Sequence, residues 1–386
     1  MVRLGDVCTF QSGGTPSRSN SAYFDGTIPW ITTVALNGSA IDEDSAVEWI
    51  TDLAISESAA KIVPANSIMV GTRVGVGKVA INKVSMSTSQ DIISLLCIDE
   101  TQWYKPFLCK FILAMGDYLN SQARGATIKG IKIDVLAALE LPDMPIDQQR
   151  IIATVFDKIE ALLSLRKQQL AKLDELVKSR FVEMFGDPVE NDMNWQTEVL
   201  DSICSTIVDC PHSTPSYTAE NTGYMCIRTS IVKKNHILWD QIEYIPEHEY
   251  RQRIQRKKPE KGDIVYTREG AILGIAAIID RDCNVALGQR SMLLSPDTSK
   301  CLPQFLSTAM NFDSFLRKAL GGISGSASPH INVGDIKAFS IIMPPIELQT
   351  QFATFVEQTD KSKFAVQQSI EKLETLKKSL MQQYFG

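Results

Sequence analysis

Two short signatures, Thr72-Arg73-x-Gly75 and Thr267-Arg268-x-Gly270, each follow an apolar run that reads as a strand. A turn at that point projects the arginine, whose rigid fork of N–H donors suits the edge of a guanine or a phosphate. Gln90 and Gln289 recur downstream, and an amide matches the edge of an adenine. Other polar side chains suit loops that reach into a nucleic-acid groove. In the first half these are Thr32, Arg73, Lys78, Gln90, Arg124, Thr127, Lys129 and Lys132. In the second they are Arg228, Lys233, Lys234, Arg268, Gln289, Arg290, Ser326 and His330. The run from Arg251 to Lys261 holds six cations against one acid, enough to neutralise several phosphates and make affinity depend on salt. For each residue the competing reading is an ordinary surface or hydrogen-bonded loop residue, and for the run a solvated helix end.

Other chemistries fit less well. Gly75-Val-Gly77-Lys-Val-Ala80 matches a dinucleotide-binding fingerprint, but the residues after it do not read as a helix whose N-terminus could meet a pyrophosphate. Lys78 does not complete a phosphate loop, because positions 72 and 79 are Thr and Val. Cys204, Cys210, His212 and Cys226 are irregularly spaced for zinc, and the first half offers only Cys8 in register, so no metal site is expected. The four histidines form no triad pattern. There is no Asp/Asn-Pro-Pro-Tyr/Phe of an amino-methyltransferase and no Glu-x-Lys of a nuclease metal site. The chain reads as a recogniser without catalytic residues of its own.

The elements that must position these residues come in two copies. Pro145 to Gly186 matches Pro345 to Gly386 at a constant offset of 200 across a gapless block of 42 residues. Upstream the matches stay collinear while the offset drifts between 195 and 200: Leu4, Val7 and Cys8 against Leu200, Ile203 and Cys204, and Thr15-Pro16-Ser17 against Thr214-Pro215-Ser216. Internal repetition on this scale means duplication. Short apolar runs bounded by turn residues predict strands at Ser67–Val70, Asp91–Leu96, Asp263–Tyr266 and Ser291–Leu294. Shorter helices are expected at about 105–120 and 303–318.

Each copy closes with a long helix, expected at about 147–184 and 347–384, opened by a proline and ended near a glycine. Apolar spacing of three and four, broken midway by polar residues, predicts a coiled-coil-like seam. The seam and docking residues are Ile159, Leu162, Leu173 and Leu176 in the first helix and Leu373, Leu376 and Leu380 in the second. Thirty-eight helical residues reach about 57 Å. Antiparallel pairing of the two helices would place a reading head at each end of a rod, as a partner with regularly repeating sites such as duplex DNA requires. The alternative packs each helix on its own domain.

Bulk properties set the remaining bounds. The 386 residues suffice for two or three domains, and 44% hydrophobic with 22% charged residues is ordinary for a globular protein. A net charge of −6 confines any DNA binding to local cationic surfaces. Eight scattered cysteines without a C-x-x-C, together with no signal peptide or spanning run, point to the cytoplasm.

Leu141-Pro-Asp-Met-Pro145-Ile-Asp-Gln-Gln149 and Ile342-Met-Pro-Pro-Ile346-Glu-Leu-Gln349, the Phe185-Gly186 and Phe385-Gly386 helix exits and the Gly71–Gly77 turn together resemble the specificity subunit of type I restriction-modification enzymes, over essentially the whole chain. The second copy departs from the first at Leu348, which stands where Gln148 does. The resemblance implies an α+β chain with an internal pseudo-two-fold repeat. Target-recognition domains over 1–143 and 187–343 would alternate with helical regions over 144–186 and 344–386, the helices pairing as an antiparallel coiled coil. It implies a bipartite DNA site with one half-site per domain. It also implies two methyltransferase subunits that bind S-adenosylmethionine, and restriction subunits using ATP and Mg in some complexes, with no cofactor in this chain. The competing function is a non-DNA interaction protein with two binding heads on a rod, and after it an enzyme with a metal site in each repeat.

Overall fold

The computed structural model describes residues 1–125, 129–321 and 329–386. The chain forms two compact units, 1–167 with 368–386 and 168–367, so each long helix is shared between them. Each unit holds part of both helices within its own core.

Unit 1 contains an antiparallel sheet ordered Thr9–Ser12, Ile92–Leu96, Ile68–Gly71, Val79–Asn82, with Ala40–Ile41 added in parallel at one edge. The strand Ile68–Gly71 is buried throughout, as its unbroken apolar run requires. A second sheet is built on Phe24–Ile31, which pairs in parallel with Met86–Thr88. Unit 2 repeats both features. Its main sheet is Cys204–Asp209, Ser291–Pro296, Ile264–Thr267, Ala276–Ile278, and Met225–Ile227 pairs in parallel with Val285–Leu287. The strands expected from the sequence all form, and the shorter helices occupy Lys105–Ala114, Gly116–Gln122, Pro303–Met310 and Asp313–Leu320.

The long helices run Ile146–Phe185 and Ile346–Phe385, one residue beyond the expected bounds at each end. Gly186 stops the first: with φ +73 it takes a left-handed conformation that costs glycine little, while its N–H still bonds the Val182 carbonyl at 2.9 Å. At each helix start a fully buried glutamine ties the helix to its unit. Gln149 accepts from the Tyr104 N–H (2.9 Å) and donates to the carbonyls of Gln102 (2.9 Å) and Met144 (3.0 Å). Gln349 repeats this with the Leu302 N–H (2.9 Å) and the carbonyls of Lys300 (3.1 Å) and Pro344 (2.9 Å). A buried amide is tolerable only when its donors and acceptor are met, and here both are.

The helices pair antiparallel within both units. In unit 1 the end of the second helix meets the start of the first: Phe385 lies 5.7 Å from Phe156, 5.4 Å from Phe107 and 5.9 Å from Phe111. In unit 2 the end of the first meets the start of the second, where Phe181 and Phe185 each lie 5.5 Å from Phe352. Polar groups reinforce the unit 1 pairing. Lys110 is nearly buried between Asp157 and Glu160, and Lys377 reaches Glu160 at 2.8 Å. Burial pushes the Glu160 carboxyl up, but the hydrogen bonds from Lys110 and Lys377 outweigh it and hold the group below its ordinary range.

The seam differs in detail from the one read off the sequence. Ile159 is buried, and Leu173, Leu373 and Leu380 are half-buried. Leu162, Leu176 and Leu376 are instead 44%, 48% and 47% exposed and belong to the outer face. A two-helix contact buries a narrow stripe, which Val177, Phe181, Phe352, Val356 and Ile370, all within the apolar spacing read from the sequence, fill together with Phe156 and Val366.

One surface ion cluster gives a pH prediction. Hydrogen bonds from Lys178 (2.8 Å) and Lys234 (3.0 Å) lower the Asp313 pKa to about 2. Because the folded pKa is depressed, its stabilisation is present above the unfolded value near 4 and is lost as pH falls toward 2. Asp313 is half exposed, so the effect is at most about 1 kcal/mol. Thermal unfolding of unit 2 should drop slightly between about pH 4 and pH 2, and Asp313→Asn should remove that component. An equal drop in Asp313→Asn would assign it elsewhere.

Candidate nucleic-acid interface

In unit 1 the strand Ile68–Gly71 leads into a turn closed by the Gly71 N–H on the Lys78 carbonyl (2.8 Å). A strand, Val79–Asn82, follows Gly75 and Gly77, so no helix N-terminus stands there for a pyrophosphate. Backbone hydrogen bonds draw three other segments against this turn. The Thr72 N–H bonds the Asp91 carbonyl (2.8 Å), and the Ile131 N–H bonds the Thr72 carbonyl (2.8 Å). The Ser89 N–H bonds the Ile31 carbonyl (2.9 Å), bringing in half-buried Thr32. Arg124 and Gly130 exchange hydrogen bonds of 2.9 and 3.0 Å across the base of their loop. The result is one edge carrying Thr32, Arg73, Gln90, Arg124, Lys129 and Lys132, all but Thr32 exposed, with Lys78 exposed on the same turn. Thr127 lies outside the described residues.

Arg73 is an exposed donor on this edge. Its side chain is 53% exposed, and its nearest carboxylate, Asp91, is 3.7 Å away. An exposed pair at that distance holds a side chain only weakly. Gly130 makes room for it: a Cβ there would stand 2.8 Å from Arg73 Cγ and 3.0 Å from the Thr72 carbonyl.

Unit 2 rebuilds the edge with one correction. Strand registers place Gly71 opposite Ile92 and Thr267 opposite Ser291. The Arg268 N–H bonds the Arg290 carbonyl (3.0 Å) and the Ile331 N–H bonds the Arg268 carbonyl (2.9 Å), as Thr72 does with Asp91 and Ile131. Arg268 therefore occupies the position of Thr72, and Glu269 that of Arg73. A strand reverses faces at every residue, so the Thr-Arg-x-Gly alignment, off by one, turned the arginine the wrong way. Arg268 is not projected. It is 7% exposed, bonded to Asp209 (3.0 and 3.3 Å), Glu269 (2.7 Å) and the Ile331 carbonyl (3.3 Å). A buried guanidinium needs this many partners.

The other unit 2 candidates differ in their exposure and in their partners. Arg290 is exposed with φ +72, a left-handed conformation that costs a non-glycine residue energy. His330 is exposed beside Glu269, to which its backbone is bridged. Gln289 is half-buried and accepts from Thr214 Oγ1 at 3.3 Å. Arg228 is held by Glu243 (2.9 Å) and lies 5.2 Å over the Tyr217 ring. Lys233 donates to the Ser230 carbonyl (2.9 Å) and Lys234 to Asp313 (3.0 Å). Ser326 lies outside the described residues.

The basic run is less available than its composition suggests. Arg251 pairs with Glu247 (2.6 Å) and Lys257 with Glu260 (2.6 Å). Arg253 is buried against Glu249 (3.0 Å) and the Ser213 carbonyl (2.8 Å). Arg256, Lys258 and Lys261 are exposed, as is Arg251, which is already paired. Cys204, Cys210 and Cys226 belong to three different cores, and burial pushes the Cys204 and Cys226 thiols up to about 12, away from the thiolate that zinc requires.

Two copies of one sheet, each ending in loops that present donor and acceptor side chains along an edge, define a duplicated recognition protein. Residues 1–175 and 193–377 both match the type I restriction modification DNA specificity domain. A type I restriction enzyme MjaIX specificity subunit from Methanocaldococcus jannaschii is 23% identical over 377 residues, covering 92% of this chain and 85% of that protein. The type I restriction-modification S subunit from M. genitalium shares the fold at a TM-score of 0.58 and 14% identity, covering 100% of this chain and 95% of that one. A chain solved in work on complex assembly and conformational transition of the type I R-M system does so at 0.60 and 18%, covering 100% and 96%. This chain belongs to the family of type I restriction-modification specificity subunits, and its function is sequence-specific DNA recognition.

Proposed function

We propose that the chain reads a bipartite duplex site, one half-site per unit, and docks two methyltransferase subunits on its long helices while carrying no catalytic site itself. The observation that carries this is the repeated edge, in which backbone hydrogen bonds gather polar side chains from loops far apart in sequence. Arg73, Gln90, Arg124 and Lys129 serve one half-site and Gln289, Arg290 and His330 the other. In unit 2 the edge carboxylates Asp209 and Glu269 are engaged by Arg268, which suits recognition better than acid–base work. S-adenosylmethionine then belongs to the methyltransferase partner, and ATP and Mg to a restriction subunit where one joins. Among the described residues no helix is long and apolar enough to cross a membrane, and the cytoplasm is where such a complex would work.

Binding of the chain–methyltransferase complex to a duplex carrying its site should weaken steeply with salt, each phosphate contact adding about −0.9 to the log–log slope. A flat salt dependence would overturn the DNA reading. Docking is tested on the outer helix face, where Ile151 and Leu165 are 65% and 60% exposed. Leu165→Asp should leave the chain folded and weaken methyltransferase association by about tenfold or more, without changing the bases selected by any residual complex. A changed recognition sequence would contradict that division of labour.

A further inference from the structure

The two edges carry opposite charge at matching positions. One residue beyond the inward-facing Thr72 or Arg268, the chain lies beside residue 130 or 330. In unit 1 the residue there is Arg73, with the Asp91 carboxylate 3.7 Å away. In unit 2 it is Glu269, 25% exposed, with the Arg268 guanidinium 2.7 Å away and Arg268 itself anchored by Asp209 at 3.0 Å. Glu269 and Arg268 line an open cavity of about 470 Å³ with His330, Asn332 and Val333.

A carboxylate facing a polyanion is repelled by phosphate and cannot serve as a backbone contact. It can accept from a base, and the exocyclic amino groups of cytosine and adenine are the donors exposed in the major groove. Arg268 offsets the charge of Glu269 and fixes its orientation through Oε1, and a carboxylate has a second oxygen with which to accept. Building on the reading of the chain as a two-half-site DNA reader, we propose that Glu269 specifies a base with an exocyclic amino donor at one position of the half-site read by unit 2. Arg73, at the matching position of unit 1, selects an acceptor-bearing guanine edge. The two units thus read with inverted hydrogen-bonding polarity from equivalent backbone positions.

The test is a set of methylation maps from cells expressing the methyltransferase with the parent chain, with Glu269→Gln and with Glu269→Asp. In Glu269→Gln a cytosine at one position of one half-site should relax by about tenfold or more while the other half-site is unchanged. Glutamine reads adenine well, so relaxation with a shift toward adenine marks cytosine as the parent base, and an adenine kept at that position marks adenine. Glu269→Asp keeps the charge beside Arg268 but withdraws the oxygen by one methylene, and should relax the same position. A folded Glu269→Asp with the parent motif and efficiency overturns the proposal, as does relaxation of both half-sites together in either variant. Loss of fold in both variants makes Glu269 a strut for Arg268 and overturns it as well. A parent chain that directs no gapped motif would instead overturn the DNA reading on which the proposal rests.

Discussion

Phe181→Ala is expected to destabilise unit 2 by about 3–5 kcal/mol, the range for emptying a buried aromatic site. Phe181 is fully buried where both long helices meet the unit 2 core. Its ring lies 5.1 Å from Phe185 and Phe312 and 5.5 Å from Phe305 and Phe352. These partners come from four segments, including both long helices and the Pro303–Met310 helix, so neighbours cannot collapse into the space without moving an element. At about 3 °C per kcal/mol for a unit of this size, the unit 2 transition should fall by roughly 10 °C. Differential scanning calorimetry checks this, and a shift of under about 2 °C would mean that the ring cluster does not hold the helices to the unit. The recognised bases should not change in whatever folded protein remains.

Arg73→Ala is expected to relax or abolish reading of a single half-site, lowering discrimination at one position by about tenfold to a hundredfold. The side chain is half exposed and only loosely tied to Asp91, so truncation removes a donor without leaving a buried charge behind. Arg73→Lys separates the ways in which it acts. Lysine keeps the charge but not the planar fork, so a phosphate contact survives the exchange and a bidentate base contact does not. Relaxed base choice with a preserved salt slope in Arg73→Lys would mark base reading. Unchanged base choice in both variants would remove Arg73 from the reading edge, and equal loss in both half-sites would argue against independent units.

Much of this architecture was legible in the sequence because duplication supplies an internal control. The helices begin and end within a residue of the expected bounds, since proline at the start and glycine at the end act locally. Gln149 and Gln349 stand at the constant offset of 200, but that both are buried, and which groups they bond, only the fold reveals. The reading edge was harder. Where the offset drifts between copies the position of the gap is invisible, and a one-residue error exchanges the inward and outward faces, which is how Arg268 came to be expected where Glu269 stands. Pairing state was equally hidden: nothing local distinguishes loosely held Arg73 from Arg228, whose partner Glu243 lies on a different strand. On the long helices, spacing of three and four admits more than one stripe. Only the partner helix decides that Phe156 turns inward and Leu162 outward.

Under the proposed function, this chain alone chooses the bases methylated by its complex. Long-read methylation mapping of cells expressing the genomically adjacent methyltransferase with and without this chain checks this. A gapped, two-part adenine motif that disappears when the chain is absent is the predicted result. Methylation that does not depend on the chain, while the two proteins remain folded and associated, would contradict it.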